Sequence, residues 1–132
     1  MISSIAFPGA ANIKVLVIED DERVADLFAS TLEDAGHEAL VCHSGPEGLA
    51  SINDRPPDVV FLDVRMPAMS GIEVLQAIRS MDASLPVILV TGHATPAEIE
   101  QARQLGVTEI VHKPYILNEF TAALSRIAPR SG

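Results

Sequence analysis

Five short apolar runs, each followed by an amphipathic stretch, divide most of the chain into repeating units. The runs cover residues 13–18, 38–42, 58–62, 86–90 and 107–111. Several are continuously apolar, which is typical of parallel strands that are covered by helices on both faces. Apolar residues at helical spacing predict helices over residues 22–35, 46–52, 72–81, 96–105 and 117–127.

This alternation of strands and helices restricts the chain to an α/β fold. Right-handed crossovers between the strands give a doubly wound, five-stranded parallel sheet of order 2-1-3-4-5. The expected architecture is a flavodoxin-like three-layer α/β/α sandwich. With 132 residues the chain is the size of one ordinary domain. We predict a single domain at 13–128, a flexible N-terminal segment at 1–12 and a tail at 129–132.

The net charge and the length of the apolar runs limit the partners that we expect for the chain. A formal net charge of −9 repels nucleic-acid phosphates and anionic lipid, so we expect no direct nucleic-acid binding. No apolar run reaches the roughly 18 residues that span a bilayer, and residues 1–12 lack the pattern of a signal peptide. Cys42, the single cysteine, excludes an internal disulfide. We expect no membrane insertion and a cytoplasmic location.

Chemically active residues follow the predicted strands. In a sheet of this kind, the loops at the carboxyl ends of the central strands converge on one crevice, where ligands bind. The residues concerned are Glu19, Asp20 and Asp21 after strand 1, Asp63 after strand 3, Thr91 and Gly92 after strand 4, and Lys113 and Pro114 after strand 5. Carboxylates, a hydroxyl and an ammonium group are therefore predicted to meet at one edge of the sheet.

Such a cluster has a definite chemistry. Carboxylates that stay ionised together need a compensating cation, and the oxygen ligands favour Mg²⁺, with Mn²⁺ as a possible replacement. Phosphoryl transfer needs a nucleophile and positive charge on the equatorial oxygens. Asp63 is the natural acceptor, the metal and Lys113 supply the charge, and Thr91 can donate a hydrogen bond to a phosphoryl oxygen.

Four motifs in this chain resemble those of the receiver domains of bacterial two-component response regulators. The resemblance extends from about Ile13 to Ile127. The motifs are the acidic opening Val15-Leu16-Val17-Ile18-Glu19-Asp20-Asp21, the loop Phe61-Leu62-Asp63-Val64-Arg65-Met66-Pro67 followed by Gly71, the triplet Val90-Thr91-Gly92, and the triplet His112-Lys113-Pro114.

The resemblance implies a role for each of these positions. Asp63 would be the phosphoacceptor, Asp20 a direct metal ligand, and Glu19 a carboxylate that acts mainly through a metal-bound water. Arg65 would lend its backbone carbonyl to the metal. Thr91 would be the switch hydroxyl and Lys113 the phosphoryl-binding cation, so that Asp63 and Lys113 carry the chemistry. Asp21 lies one position further on, and we interpret it as the start of a helix.

One position departs from the family pattern. Three residues before the lysine the family usually has an aromatic residue whose ring moves inward on activation, and this chain has Ile110. We therefore expect Ile110 to pack against strand 4, and the signal to pass through loop and helix shifts at residues 91–105 and 107–115. Arg65 and His93 are expected to overhang the site, without a catalytic role for His93. His37, His43 and His112 are predicted at the surface or at an edge.

The predicted function is that of a phosphoacceptor in a two-component phosphorelay. The chain would receive its phosphoryl group from a histidine kinase or a phosphotransfer protein and would catalyse only its own phosphorylation and dephosphorylation. The face formed by the last two helices and strand 5 would then change partners, with an output domain, a downstream protein or a second copy as candidates. The chain is either stand-alone or part of a hybrid kinase or larger regulator.

Three other functions fit the sequence less well. An aspartate-based phosphatase usually needs a second acid two residues after the nucleophile, where this chain has Arg65. An FMN carrier needs a Ser/Thr/Gly-rich phosphate loop after strand 1, where the acidic residues would repel the phosphate. A receiver-like module that binds partners without phosphorylation would not need Asp63, Asp20, Thr91 and Lys113 together.

Overall fold

The computed structural model describes residues 13–112 of the chain. Lys113 and the predicted helix at 117–127 lie outside the described residues, as do the segments 1–12 and 129–132. The strands are β1 (Lys14–Ile18), β2 (Glu38–Cys42), β3 (Val59–Asp63), β4 (Val87–Thr91) and β5 (Glu109–His112). The helices are α1 (Glu22–Asp34), α2 (Gly45–Asp54), α3 (Gly71–Met81) and α4 (Pro96–Gln104). Each element lies within two residues of its predicted bounds.

The five strands form one parallel sheet in the order β2-β1-β3-β4-β5, which confirms the predicted topology. β1 and β3 are neighbours at the centre, with Val17 paired to Phe61. The chain runs from β1 outward to β2 and then returns to the other side of β1, so the strand order reverses between β1 and β3. Ligands of open α/β sheets bind at the carboxyl ends of the strands at such a reversal.

Two separate apolar cores cover the two faces of the sheet and explain the continuously apolar strands. Successive side chains of a strand point to opposite faces. Val15 and Val17 therefore pack with Phe28 and Leu32 of α1, whereas Leu16 packs on the other face among residues of α2, α3 and α4. Helices on both faces leave the central strands without a solvent-facing side, as the sequence predicts.

Each helix begins at a residue whose side chain accepts from the helix backbone. The Asp21 carboxylate accepts from the amides of Arg23 and Val24 at 3.0 and 3.2 Å, which confirms its predicted role at the start of α1. Ser44, Ser70 and Thr95 cap the other three described helices. None of the helices within residues 13–112 is long and apolar enough to cross a membrane.

Arg79 ties the carboxyl end of α4 to α3. Its guanidinium donates to the backbone carbonyls of Leu105 (2.6 Å) and Gly106 (3.0 Å), which follow α4. It also donates to the carbonyls of Asp82 (3.2 Å) and Leu85 (2.8 Å), which precede β4. A planar guanidinium can reach several acceptors at once in a fixed geometry. The end of α4 and the start of β4 are therefore held at one side chain.

His37 is buried, which corrects the prediction of a surface position. Its side chain is 7% exposed, and its Nδ1 accepts a hydrogen bond from the Ile13 amide at 3.3 Å. Gly36, with φ of 91°, ends α1 and turns the chain so that the imidazole faces the start of β1. Burial lowers the pKa of His37 from its ordinary value of 6.5. Nδ1 must also be unprotonated to accept from Ile13.

This arrangement predicts a loss of stability in mild acid. Because the folded-state pKa of His37 is below the unfolded value, the unfolded chain takes up the proton first. The free energy of unfolding should be at its full value above pH 6.5 and should fall as the pH drops below it. Urea unfolding between pH 8 and pH 5.5 measures this.

A matched pair of variants isolates His37 in that experiment. His37→Gln should be less stable than the native chain at pH 8 and should show a weaker pH dependence. His112→Gln, at an exposed position of β5, should keep the native dependence. If His37→Gln unfolds with the same pH dependence as the native chain, protonation of His37 is not the cause of the lost stability.

Candidate functional site

The loops that follow β1, β3 and β4 enclose one open cleft at the carboxyl edge of the sheet. Its walls include Glu19 and Asp20 after β1, Asp63 at the end of β3, and His93 after β4. These residues are distant in sequence and meet because their strands are neighbours in one parallel sheet. The structure thus brings together the acidic residues that the sequence placed at this edge.

Three carboxylates lie close enough to share one cation. Glu19, Asp20 and Asp63 each offer an oxygen, and these oxygens lie within 4.8 Å of one another. The side chains of Glu19 and Asp63 are 1% and 6% exposed, whereas Asp20 faces solvent. Buried carboxylates at this separation repel one another unless a cation compensates for them. An all-oxygen set with one side open to water suits Mg²⁺, which keeps part of its hydration shell.

Backbone amides supply part of the compensation. The Asp21 amide donates to Glu19 Oε2 at 3.1 Å, and the Arg65 amide donates to Asp63 Oδ1 at 3.4 Å. Hydrogen bonds to a carboxylate favour its ionised form. Both donors lie two residues after the acid that they contact, so the turns after β1 and β3 each supply a hydrogen-bond donor to the cluster.

The loop after Asp63 is closely packed. The Gly71 amide donates to the Val64 carbonyl at 2.9 Å, and a Cβ on Gly71 would lie 2.8 Å from the Val64 Cα and against the Asp63 carbonyl. Ala68, inside the loop, has φ of 69°, and the Met69 amide donates to the Pro67 carbonyl at 2.7 Å. This pattern is a γ-turn with positive φ, which is strained for a residue with a Cβ.

Thr91 ends β4 beside Asp63. Asp63 pairs with Val90 in the sheet, so Thr91 is one residue beyond that partner. The threonine is 1% exposed, and its Oγ1 accepts from the His93 amide at 3.1 Å. That bond uses an oxygen lone pair and leaves the hydroxyl hydrogen available to donate elsewhere.

The Arg65 side chain crosses from the β3–α3 loop to the start of α4. It donates to both carboxylate oxygens of Glu98, at 3.0 and 2.8 Å, and to the His93 carbonyl at 2.9 Å. The Thr95 amide, together with the nearby Arg65 guanidinium, lowers the pKa of Glu98. Sequence reasoning placed Arg65 at the rim of the site but missed Glu98. A Thr-x-x-Glu helix start was visible at residues 95–98, but it does not indicate an arginine partner.

Of the remaining predicted positions, some lie outside the described residues and the others can be compared with the structure. Lys113 lies outside the described residues, and its role stays a prediction. Ile110 pairs with Leu89 of β4 and packs, half-buried, at the margin of the core that contains α3. This placement agrees with the expectation that Ile110 packs against strand 4. His43 and His112 are exposed, as predicted.

The fold and the site define a doubly wound α/β domain with a cluster of three carboxylates at the carboxyl edge of its sheet. The response regulator receiver domain family matches residues 15–125, and the chain belongs to this family. It is a receiver domain of the two-component response regulators, in which phosphorylation of an aspartate is the known function. Receiver domains bind Mg²⁺ through acidic residues and interact with histidine kinases and output domains.

Similar proteins agree with this membership. The sensory transduction protein RegX3 of Mycobacterium tuberculosis is 36% identical over 118 residues, which are 89% of this chain and 52% of that protein. The regulator PhoP of Bacillus subtilis, named for alkaline phosphatase synthesis, is 29% identical over 91% of this chain and 50% of its own length. The chain spans about half the length of these curated relatives.

Solved structures give the same result. The chemotaxis protein CheY4 of Vibrio cholerae has a TM-score of 0.83 at 29% identity, covering 89% of this chain and 99% of that one. NtrX of Brucella abortus has a TM-score of 0.76 at 30% identity, covering 89% of this chain and 27% of its own. The fold therefore occurs both as nearly a whole chain and as one part of a longer chain.

The close packing at Gly71 gives a testable prediction. Gly71→Ala places a methyl group against the backbone of Asp63 and Val64, which must move. We expect the free energy of unfolding to fall by about 1–3 kcal/mol, the usual cost of overpacking. Gln76→Ala, at an exposed position of α3, should change it by less than about 0.5 kcal/mol. Denaturant unfolding compares the two, and equal stability of both variants would contradict the packing argument.

Proposed function

We propose that Asp63 is the phosphoacceptor of this receiver domain and that phosphorylation requires Mg²⁺ at the acidic cluster. The observation that carries the proposal is the set of three carboxylate oxygens within 4.8 Å at the end of β3. Asp63 is 6% exposed at the wall of an open cleft, so a donor can approach its carboxylate from solvent. Glu19, by contrast, is 1% exposed, so a donor reaches its carboxylate less easily.

The proposed metal roles are those that the resemblance to receiver domains implies. We assign Asp20 and Asp63 as direct ligands, the Arg65 backbone carbonyl as a further ligand, and Glu19 as an acid that acts through water. When bound, Mg²⁺, or Mn²⁺ in its place, would supply positive charge to neutralise the phosphoryl oxygens. The exposed side of Asp20 leaves room for the water that such ions retain.

The reaction is a transfer of one phosphoryl group between two residues. An Asp63 carboxylate oxygen attacks phosphorus, forming a P–O bond, while the P–N bond to the donor histidine breaks. The leaving nitrogen keeps the electron pair and is protonated from solvent. We propose that Lys113 contacts the transferred group as a cation and that Thr91 donates its hydroxyl hydrogen to a phosphoryl oxygen. The charge and the hydrogen bond stabilise a group that the carboxylates alone would repel.

The assignment also proposes partners and context. The donor is a histidine kinase or a histidine phosphotransfer protein, and the receiving surface signals to an output domain, a downstream protein or a second copy of the chain. The domain catalyses only its own phosphorylation and dephosphorylation. The named relatives are about twice as long as the matched region. We propose that this receiver is either stand-alone or part of a longer regulator. The cytoplasmic location and the boundary at residue 128 stay predictions of the sequence.

Intact mass after incubation with Mg²⁺ and acetyl phosphate tests the proposal. We expect the native chain to gain the mass of one phosphoryl group and Asp63→Asn to gain none. Chelation of Mg²⁺ should abolish the adduct in the native chain, and Asp20→Asn should raise the Mg²⁺ concentration that labelling requires. An adduct on Asp63→Asn would place the phosphoacceptor elsewhere.

Asp21→Asn is the matched control. Asp21 lies at the same cleft but caps α1, and asparagine caps a helix about as well as aspartate. This variant should therefore label like the native chain. A loss of labelling equal to that of Asp63→Asn would show that general charge in the cleft, not the individual acid, controls the reaction.

A further inference from the structure

Two arginines attach the two ends of α4 to the rest of the domain. The carboxyl end is held by Arg79, whose guanidinium contacts the Leu105 and Gly106 carbonyls. The amino end is tied through Glu98 to Arg65. Between them, α4 has Ala102 as its buried residue among nine. A helix with so little buried surface depends on such end contacts for its position.

The two attachments differ in strength. Arg79 is half-buried and donates to carbonyls that follow α4 and precede β4, so its displacement would break several hydrogen bonds at once. The Arg65 side chain is 51% exposed and that of Glu98 is 21% exposed. Exposed ion pairs contribute little because water and salt compete with them. The attachment at the amino end is thus the one that a competing anion can displace.

Phosphorylation would create such an anion close to Arg65. Arg65 is two residues after Asp63, its amide contacts Asp63 Oδ1 at 3.4 Å, and its side chain borders the same cleft. A phosphoryl group offers more charge and more acceptor oxygens than a carboxylate, and guanidinium groups bind it in bidentate fashion. Glu98 and a phosphorylated Asp63 would therefore compete for one guanidinium.

We propose that Glu98 is a positioning residue that holds Arg65 across the rim of the cleft, and that phosphorylation of Asp63 exchanges Arg65 from Glu98 to the phosphoryl group. The exchange frees the amino end of α4, which then pivots about the end held by Arg79. This inference rests on the proposed phosphorylation of Asp63 and adds how that event reaches α4.

The helix itself survives the exchange. Glu98 Oε1 also accepts from the Thr95 amide at 2.9 Å, and the Glu98 amide donates to Thr95 Oγ1 at 3.1 Å. This capping box satisfies the first turn without Arg65. The released segment is therefore an intact helix that moves, and not a helix that unwinds.

A double-mutant cycle tests the exchange. The probe is Mg²⁺ with beryllium fluoride, which mimics a phosphoryl group on a carboxylate, titrated by amide NMR. Glu98→Gln keeps the capping box because glutamine also serves at this position, but it removes the charge that retains Arg65. We expect it to bind the probe about two- to fivefold more tightly. Arg65→Gln should weaken binding by on the order of tenfold.

The decisive comparison is the double variant. If Glu98 acts only through Arg65, adding Glu98→Gln to Arg65→Gln should leave the affinity unchanged. If Glu98 only stabilised the helix, Glu98→Gln would change the probe affinity by the same factor in the native chain and in Arg65→Gln. Glu100→Gln, also on α4 but exposed and away from Arg65, should bind the probe like the native chain.

A second readout follows Arg65 directly. Its Nε resonance and the amide resonances of Thr95 and Glu98 should shift when the native chain binds the probe. In Glu98→Gln the Nε resonance should shift before the probe is added. An unmoved Nε resonance, or an equal effect of Glu98→Gln with and without Arg65, would overturn the exchange.

The same samples separate failure of the exchange from failure of the proposed function. If acetyl phosphate labels the native chain but the effects of Glu98→Gln and Arg65→Gln on probe affinity are additive, Asp63 remains the phosphoacceptor and only the exchange is rejected. Absence of both the phosphoryl adduct and the beryllium fluoride complex in the native chain would reject the two proposals together.

Discussion

Mutual repulsion among Glu19, Asp20 and Asp63 is the constraint around which this end of the molecule is organised. Three carboxylates within 4.8 Å of one another, two of them buried, are unfavourable unless something holds them there. The sheet does so, because β1 and β3 are adjacent and covered on both faces by apolar side chains. The stability of the centre of the sheet therefore keeps together a cluster of carboxylates that repel one another.

The parts of the fold that sequence reasoning predicted are those set by local patterns. Five apolar runs predicted the strand count, and Asp21 was assigned to the start of α1 from its position alone. The strand order came from the general rule of right-handed crossovers in doubly wound sheets. Errors of one or two residues arose at element ends. For example, β3 extends to Asp63 because Asp63 still pairs with Val90, which no local pattern indicates. The acidic residues of the site were predictable because the ends of parallel strands share an edge.

Other features depend on contacts between distant residues and leave little trace in the sequence. His37 follows a helix-ending glycine, a context typical of a surface turn, yet its ring accepts from Ile13, 24 residues away. Arg65 and Glu98 are 33 residues apart, one in the β3–α3 loop and the other in the first turn of α4. The position of Arg79 near the end of a helix does not indicate that its guanidinium contacts the carbonyls of Leu105 and Leu85. In each case a side-chain direction decides the role, and spacing alone does not determine it.

The isoleucine at position 110 affects how the site can communicate with α4. Ile110 packs beside Leu89 at the margin of a core, where an aliphatic side chain offers no polar group and no ring for a partner at the cleft. A route through Arg65 would instead depend on charge at the rim of the site. Because that ion pair is exposed, salt screens it. Coupling of this kind weakens as ionic strength rises, whereas coupling through packed side chains does not.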